Sequence, residues 1–170
     1  YAAAGKTDVE VAVFKLEANY EAVRLSKFGI VIASSTSDNV LSGASTSDVI
    51  KATLWKGATK VGESVFTADD LTATSSLPCS GCADFIIPKD SSELLTVKVD
   101  MVKPLSTDSG STLGKSGATG ADSGHLVKLN WDGFRTQATE GLGQESGTTL
   151  NTTRQSHTTV SGVRLVKVYP

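Results

Sequence analysis

Cys79 and Cys82 are separated by two residues in the stretch LPCSGCADF, and the 170-residue chain holds no other cysteine. That spacing has three chemical readings. A redox-active pair of this kind sits at the N-terminus of a helix, whose dipole lowers the thiol pKa, inside a βαβ unit. Here the pair follows Ser-Ser-Leu-Pro and runs into a strand signal at Asp84–Ile87, so that context is missing. A structural zinc site needs four ligands, and His125 and His157 are distant and lack ligand spacing. A disulfide closing a very small loop remains, and it suits an oxidising compartment. Cys79 and Cys82 are expected to be bonded to each other.

Other chemistry-bearing stretches are weaker. GSTLGKS (Gly110–Ser116) is one residue short of a phosphate-binding GxxxxGK[ST] loop, with no strand before it and no helix pattern after it. There is no GxSxG nucleophile elbow, and His157 lies in a Thr-rich stretch. No Asp or Glu sits in a strand so as to suggest a raised pKa, Asp100 being the nearest candidate. The expectation is a protein that is not an enzyme. Acidic loops do offer oxygen ligands of the kind calcium prefers, with Asp69, Asp70, Asp108 and Asp122 as candidates, but without an EF-hand pattern. Calcium is the one cofactor the sequence suggests. Asn151-Thr152-Thr153 is an N-glycosylation sequon, and Trp55 and Trp131 are either sugar-stacking platforms or strand packing residues.

Composition narrows the class. A net charge of −2 and 39% hydrophobic residues fit one soluble globular domain, with no electrostatic footprint for nucleic acid or anionic membrane. No apolar run is long enough for a transmembrane helix. Ser and Thr make up about a quarter of the chain and Gly adds 16, a mixture that favours strands and turns. Asn, Gln and Met are scarce, as in proteins of harsh or hot surroundings. An opening of YAAAG without methionine is expected of a precursor trimmed on secretion, its signal peptide removed.

The elements that must position these residues read as strands. VEVAVFKLEA (Val9–Ala18) carries apolar residues on both parities, as a strand buried on two faces or passed between two bodies would. AVRLSKFGIVIAS (Ala22–Ser34) changes parity near Lys27, the mark of a β-bulge. DVIKATLWKG and KVGESVF form a hairpin across a Gly-Ala-Thr turn, and ELLTVKVDMV has the clearest two-residue period in the chain. HLVKLNW, GFRTQAT and a closing TVSGVRLVKVYP complete the set. Residues 34–48, 104–124 and the stretch GLGQESGTTLNTTRQSH read as polar loops. No window shows helical periodicity over a helical length. The expected fold is all-β, a β-sandwich of jelly-roll or immunoglobulin-like type with about eight or nine strands.

The N-terminal stretch suggests a use for such a fold. Residues 1–13 read as a small, polar leader and donor strand, and residues 14–170 as a single sandwich domain. A strand at the N-terminus with no turn-linked partner before it can be lent to a neighbouring subunit, whose sheet it completes. Val9, Val11, Val13 and Phe14 are the expected interface residues. The order VFKLEANYEAVRLSKFGIVI, DVIKATLWKGATKVGESVF, FIIPKDSSELLTVKVDM and VSGVRLVKVYP resembles the β-sandwich modules of prokaryotic surface proteins. It is also similar to secreted donor-strand filament subunits: archaeal bundling pilins, cannula-forming proteins and TasA/camelysin-type biofilm fibres. The resemblance implies a subunit assembled head to tail without catalysis. The resulting expectation is an extracellular or cell-surface structural subunit that polymerises with copies of itself into a filament or tube. It has no nucleic-acid partner and no membrane insertion. The competing expectation is a carbohydrate-binding or adhesion module of a larger cell-surface protein, with surface glycans as partners.

Overall fold

The structure, a computed structural model, describes residues 2–3, 5–32, 48–66, 71–102, 126–132, 135, 137–151 and 166–169. Among them the chain is all-β, with no helix. In chain order the strands are β1 (Ala2–Ala3), β2 (Val9–Ala18), β3 (Val23–Ile32), β4 (Val49–Lys56), β5 (Thr59–Val65), β6 (Thr72–Ser76) and β7 (Phe85–Ile87). They continue with β8 (Ser91–Met101), β9 (Leu126–Val127), β10 (Leu129–Trp131), β11 (Glu140–Gly143), β12 (Thr149–Asn151) and β13 (Val166–Tyr169). These thirteen segments exceed the eight or nine expected. Five of them are two or three residues long, too short to leave a hydrophobic period.

Ten strands form one sheet in the order β12-β11-β3-β6-β5-β4-β8-β2, with β7 and β10 also paired to β3. Every pairing in it is antiparallel. The sheet is curled into a half-barrel, so that β2, at one end of the path, returns into contact with β7 and β10. Phe14 of β2 and Phe28 of β3 meet inside the curl, ring centroids 5.4 Å apart and tilted by 57°. Around them lie Ile30, Leu54, Phe85, Leu95 and Met101, all fully buried. A second sheet holds β1, β13 and β9, with β1 parallel to β13. The N-terminal residues Ala2 and Ala3, expected in a polar leader, therefore run beside the C-terminal strand.

Strand by strand, the apolar period meets its expected face in some places and is rerouted in others. In β8 the alternation holds throughout: Leu95, Val97, Val99 and Met101 point inward. β4 and β5 form the expected hairpin, with Lys56 opposite Thr59 across a two-residue turn. β3 contains the expected bulge: its pairing with β11 skips Ser26, and Ser26 Oγ donates to the Glu140 carbonyl at 3.2 Å. In β4 a bulge at Ile50 puts Val49 on the same buried face as Ala52 and Leu54 and turns Ile50 outward.

Two expectations about the second half are corrected. Residues 135 and 137–139, expected within a strand, form a turn, with Gln137 at φ 64°. The strand lies just beyond, at Glu140–Gly143, and all but its first residue fall in the stretch expected to be a polar loop. The reason is packing: a Cβ on Gly141 would lie 2.7 Å from Val23 Cγ1, so only glycine lets β11 approach β3 this closely. β6, with the sequence TATSS, leaves no strand signal in the sequence, because alternation of Ala and Ser against Thr carries little hydrophobic contrast.

Candidate functional site

The expected interface residues lie on β2, which pairs with β8 of the same chain from Val9 opposite Val99 to Ala18 opposite Ser91. Glu10 faces Lys98 and Ala12 faces Val97, leaving Val11 as a bulge. A bulge shifts the side-chain parity by one. Val9 and Val11 point inward before it, and Ala12, Phe14, Leu16 and Ala18 after it, as the burial pattern records. The two-sided apolar pattern that suggested burial between two bodies is thus produced within one sheet. Val11 and Phe14 are buried, while Val9 and Val13 are half-buried. The proposed boundary between residues 13 and 14 falls inside this strand. Along the far edge of β2, where no described residue pairs with it, the bulge and the exposed Glu10, Lys15 and Glu17 hinder simple addition of another strand.

Cys79 and Cys82 are bonded, with their Cα atoms 5.0 Å apart, and no cysteine is free. Their surroundings explain why the staple is where it is. β6 pairs with β3 from Lys27 to Val31, and β7 pairs with the same edge from Val23 to Leu25. The chain between them, Leu77–Asp84, leaves β3 and returns to it. During that excursion the Cys79 N–H donates to the Val61 carbonyl at 3.2 Å, and the Ala83 N–H donates to Lys60 at 3.4 Å. The cysteine loop therefore ties β5 to the β3 edge. Within it the Cys82 N–H donates to the Cys79 carbonyl at 2.9 Å, and Gly81 takes φ 76°, the conformation a type II turn requires at that position. Because the ring is so short, the Cys79→Ser, Cys82→Ser double variant should lose no more than about 2 kcal/mol, the low end of the disulfide range. Amide exchange should accelerate in residues 77–84, while β8 stays protected. Two free thiols in the purified protein, or metal bound by the pair, would overturn the assignment.

Three turns meet near the end of β2. The Glu21 carboxylate accepts from the Glu145 and Ser146 N–H groups, both at 2.9 Å, and from the Ser146 hydroxyl at 2.7 Å. The β11–β12 hairpin is thereby tied to the β2–β3 turn, and the Gln144 N–H donates to the Ala22 carbonyl at 2.9 Å beside it. The hydrogen bonds from Ser146, then that from Glu145, hold the Glu21 carboxyl below its ordinary pKa of 4.5, with a smaller contribution from Lys89. A depressed folded pKa means stability that is present above pH 4.5 and lost as pH falls through the folded value. Acidification through the folded pKa should therefore loosen this hairpin, read as faster amide exchange at Glu145 and Ser146. Glu21→Gln should flatten that acid response; an unchanged response would show that Glu21 does not hold the hairpin.

The remaining candidate residues are spread over the surface. Trp55 lies under Lys98, whose Nζ is 4.2 Å from the ring centre, and its indole N–H donates to Thr53 Oγ1 at 2.9 Å. Trp131 packs against the core and donates to Thr139 Oγ1 at 2.9 Å. Neither ring is presented as an open sugar platform. Asp100 pairs with Lys51 at 3.4 Å and accepts from the Asp8 N–H at 3.0 Å. Glu17 and Glu63 are also pulled below the ordinary carboxylate range, by hydrogen bonds from Lys15 and Lys60 respectively. These shifts run opposite to what a general acid at neutral pH needs. Asn151 is exposed at the end of β12. Asp69, Asp70, Asp108, Asp122, both histidines and the GSTLGKS stretch lie outside the described residues. Among the described residues, no group of three or more His, Cys, Asp or Glu side chains is placed to hold a metal.

No family model, curated protein or solved structure matches this chain. The chemical capacity of the arrangement rests on its own geometry: an edge strand next to the N-terminus, a stapled crossover, and a cluster of turns at one end. Sequence reasoning missed the turn cluster. Its only local signal was Asn19-Tyr20-Glu21, a polar break between two apolar strands.

Proposed function

We propose that the chain is an extracellular structural subunit that assembles head to tail with copies of itself by exchanging its N-terminal strand, forming a filament or tube. The observation that carries this reading is the position of β2. It is the last strand on its side of the sheet path, and among the described strands β8 is its one ladder partner. It can leave β8 by opening that single ladder. The pairs from Val9–Val99 to Phe14–Leu95 could then form between neighbours, so exchange sacrifices no ladder. The charged, bulged outer edge of β2 disfavours the simpler route of edge-to-edge addition.

The finer fold that suits this role is a sandwich of jelly-roll or immunoglobulin-like type. β2, β8, β4 and β5 would be one layer. The other would be β3 with its flanking strands. The Cys79–Cys82 bond fits an oxidising, extracellular location. Copies of the same chain are the partners in this reading, and it assigns the chain no reaction and no cofactor. Electron microscopy of the purified full-length protein should show ordered fibres or tubes. Globules that stay monodisperse at every concentration and temperature tried would sink it.

A further inference from the structure

We propose, resting on the assembly reading, that strand exchange hinges at Tyr20, so that the segment handed to a neighbouring copy is the whole arm ahead of it, β1 and β2 together. β2 and β3 are consecutive in the chain yet share no ladder: β2 pairs with β8, and β3 with β6, β7, β10 and β11. The link between them, residues 19–22, is a crossover without the rungs that hold a hairpin shut. Beyond Tyr20 the chain is anchored to the body of the fold. The Glu21 carboxylate accepts three hydrogen bonds from Glu145 and Ser146, and the Ala22 carbonyl accepts one from Gln144. Ahead of Tyr20 the chain follows β8 and the residue after it. Besides the β2 ladder, the Asp8 N–H donates to Asp100 Oδ1 at 3.0 Å. The Met101 N–H donates to the Lys6 carbonyl and the Gly5 N–H to the Val102 carbonyl, both at 2.9 Å. β1 runs beside β13 in the same way. A second copy offers every one of these partners in the same order.

Tyr20 is the joint between these two halves, and little holds it. It is 86% exposed, and its N–H reaches Asp90 Oδ1 at 3.3 Å, a long bond at the surface. Its φ is 76°, a region in which a bulky residue is strained. Swinging the arm outward lets Tyr20 return to extended backbone, so the closed subunit carries strain that the exchanged one sheds. Short hinges under strain are where domain swapping arises. Two other joints serve less well. A hinge at Asp8, with φ 55°, would hand over residues 1–7 and leave β2 behind. One at the Val11 bulge would divide the β2–β8 ladder between two copies. With Tyr20 as the joint the ladder passes whole, from Val9–Val99 to Ala18–Ser91, and Phe14 reaches the neighbour's Phe28.

Four full-length chains test this: the unaltered sequence, Tyr20→Gly, Tyr20→Asn and Tyr20→Pro, compared across a concentration series by light scattering and size-exclusion chromatography. Glycine takes a positive φ freely and asparagine tolerates it, so both variants should fold as the unaltered chain does. Tyr20→Gly should shift the balance toward monomer by about five- to thirtyfold, and Tyr20→Asn in the same direction by less. Proline holds φ near about −65°, lacks the N–H for Asp90 and pushes Asn19 toward extended backbone. Tyr20→Pro should therefore shift the balance toward assembly. In that assembly the β8 amides should stay protected from exchange, as they would not in an unfolded aggregate. Equal assembly by all four chains, more assembly with glycine, or a proline assembly whose β8 amides are unprotected would overturn the hinge and leave the assembly reading standing. Monomers from all four chains at every concentration would overturn both.

Discussion

A chain shortened to residues 14–170 is expected to stand at the edge of unfolding, and a peptide carrying residues 4–14 is expected to rescue it. The truncation removes Val9, Val11, Ala12 and Val13 from beside β8 and uncovers Val97 and Val99. Full burial of Val11 contributes about 1.5–3 kcal/mol and the half-burial of Val9 about half as much, so their loss removes roughly 2–4 kcal/mol. Domains are typically stable by only about 5–15 kcal/mol in all, which makes this a large share. The peptide can restore the ladder from outside, and a ligand that binds only the folded form raises stability by mass action. In an assembling subunit the same groove accepts the neighbour's strand, so the truncated chain should fail to polymerise where the full chain does. Melting curves with and without peptide, and micrographs of both chains, read the two arms. An unchanged melting temperature on truncation, no response to peptide, or normal polymerisation without residues 1–13 would each remove β2 as the exchanged strand.

The second large effect is expected at Phe28. It is fully buried on β3, the strand that pairs with β6 and β7 on one edge and with β10 and β11 on the other. Its ring meets Phe14 across the curl. Phe28→Ala leaves a cavity that these strands cannot close without breaking register, so the cost should be about 3–5 kcal/mol. For a chain of this length that lowers the melting temperature by about 6–20 °C. Val65→Ser, at a position 62% exposed on β5, should change stability by less than about 0.5 kcal/mol. Equal effects at the two sites would mean that the curl is not closed by this core.

The same contrast shows which parts of the molecule were legible in the linear chain. β8 was, because its alternating Leu95, Val97, Val99 and Met101 keep one parity through an unbroken ladder. The Cys79–Cys82 bond was also legible, since competing uses need a helix or further ligands that the sequence lacks. The bulge in β3 was readable near Lys27, where the apolar parity changes, and it lies at Ser26. A similar shift in β2 gives the sequence the look of two buried faces. A bulge and a doubly buried strand leave the same run of Val, Ala and Phe. β11 was hidden for the opposite reason: Gly141 is there for a close approach to Val23 and Gly143 for one to the Glu21 carboxylate, and neither carries a hydrophobic signal. The turn cluster of Tyr20, Asp90 and Glu21 joins positions up to 125 residues apart, so no local pattern could announce it.

By itself the sequence determined that this chain is all-β and, where the ladder is regular, which side chains face inward. Side-chain alternation is a local property of extended backbone and is written directly in the residue order. Only the tertiary structure decided which strand lies beside which: that β2 takes β8, that β3 serves four partners, and that the cysteine loop crosses to β5. Backbone N–H and C=O groups are the same in every strand and do not choose among partners. The choice is made by how the curled sheet fills its interior, where Phe14 must meet Phe28 and Gly141 must clear Val23.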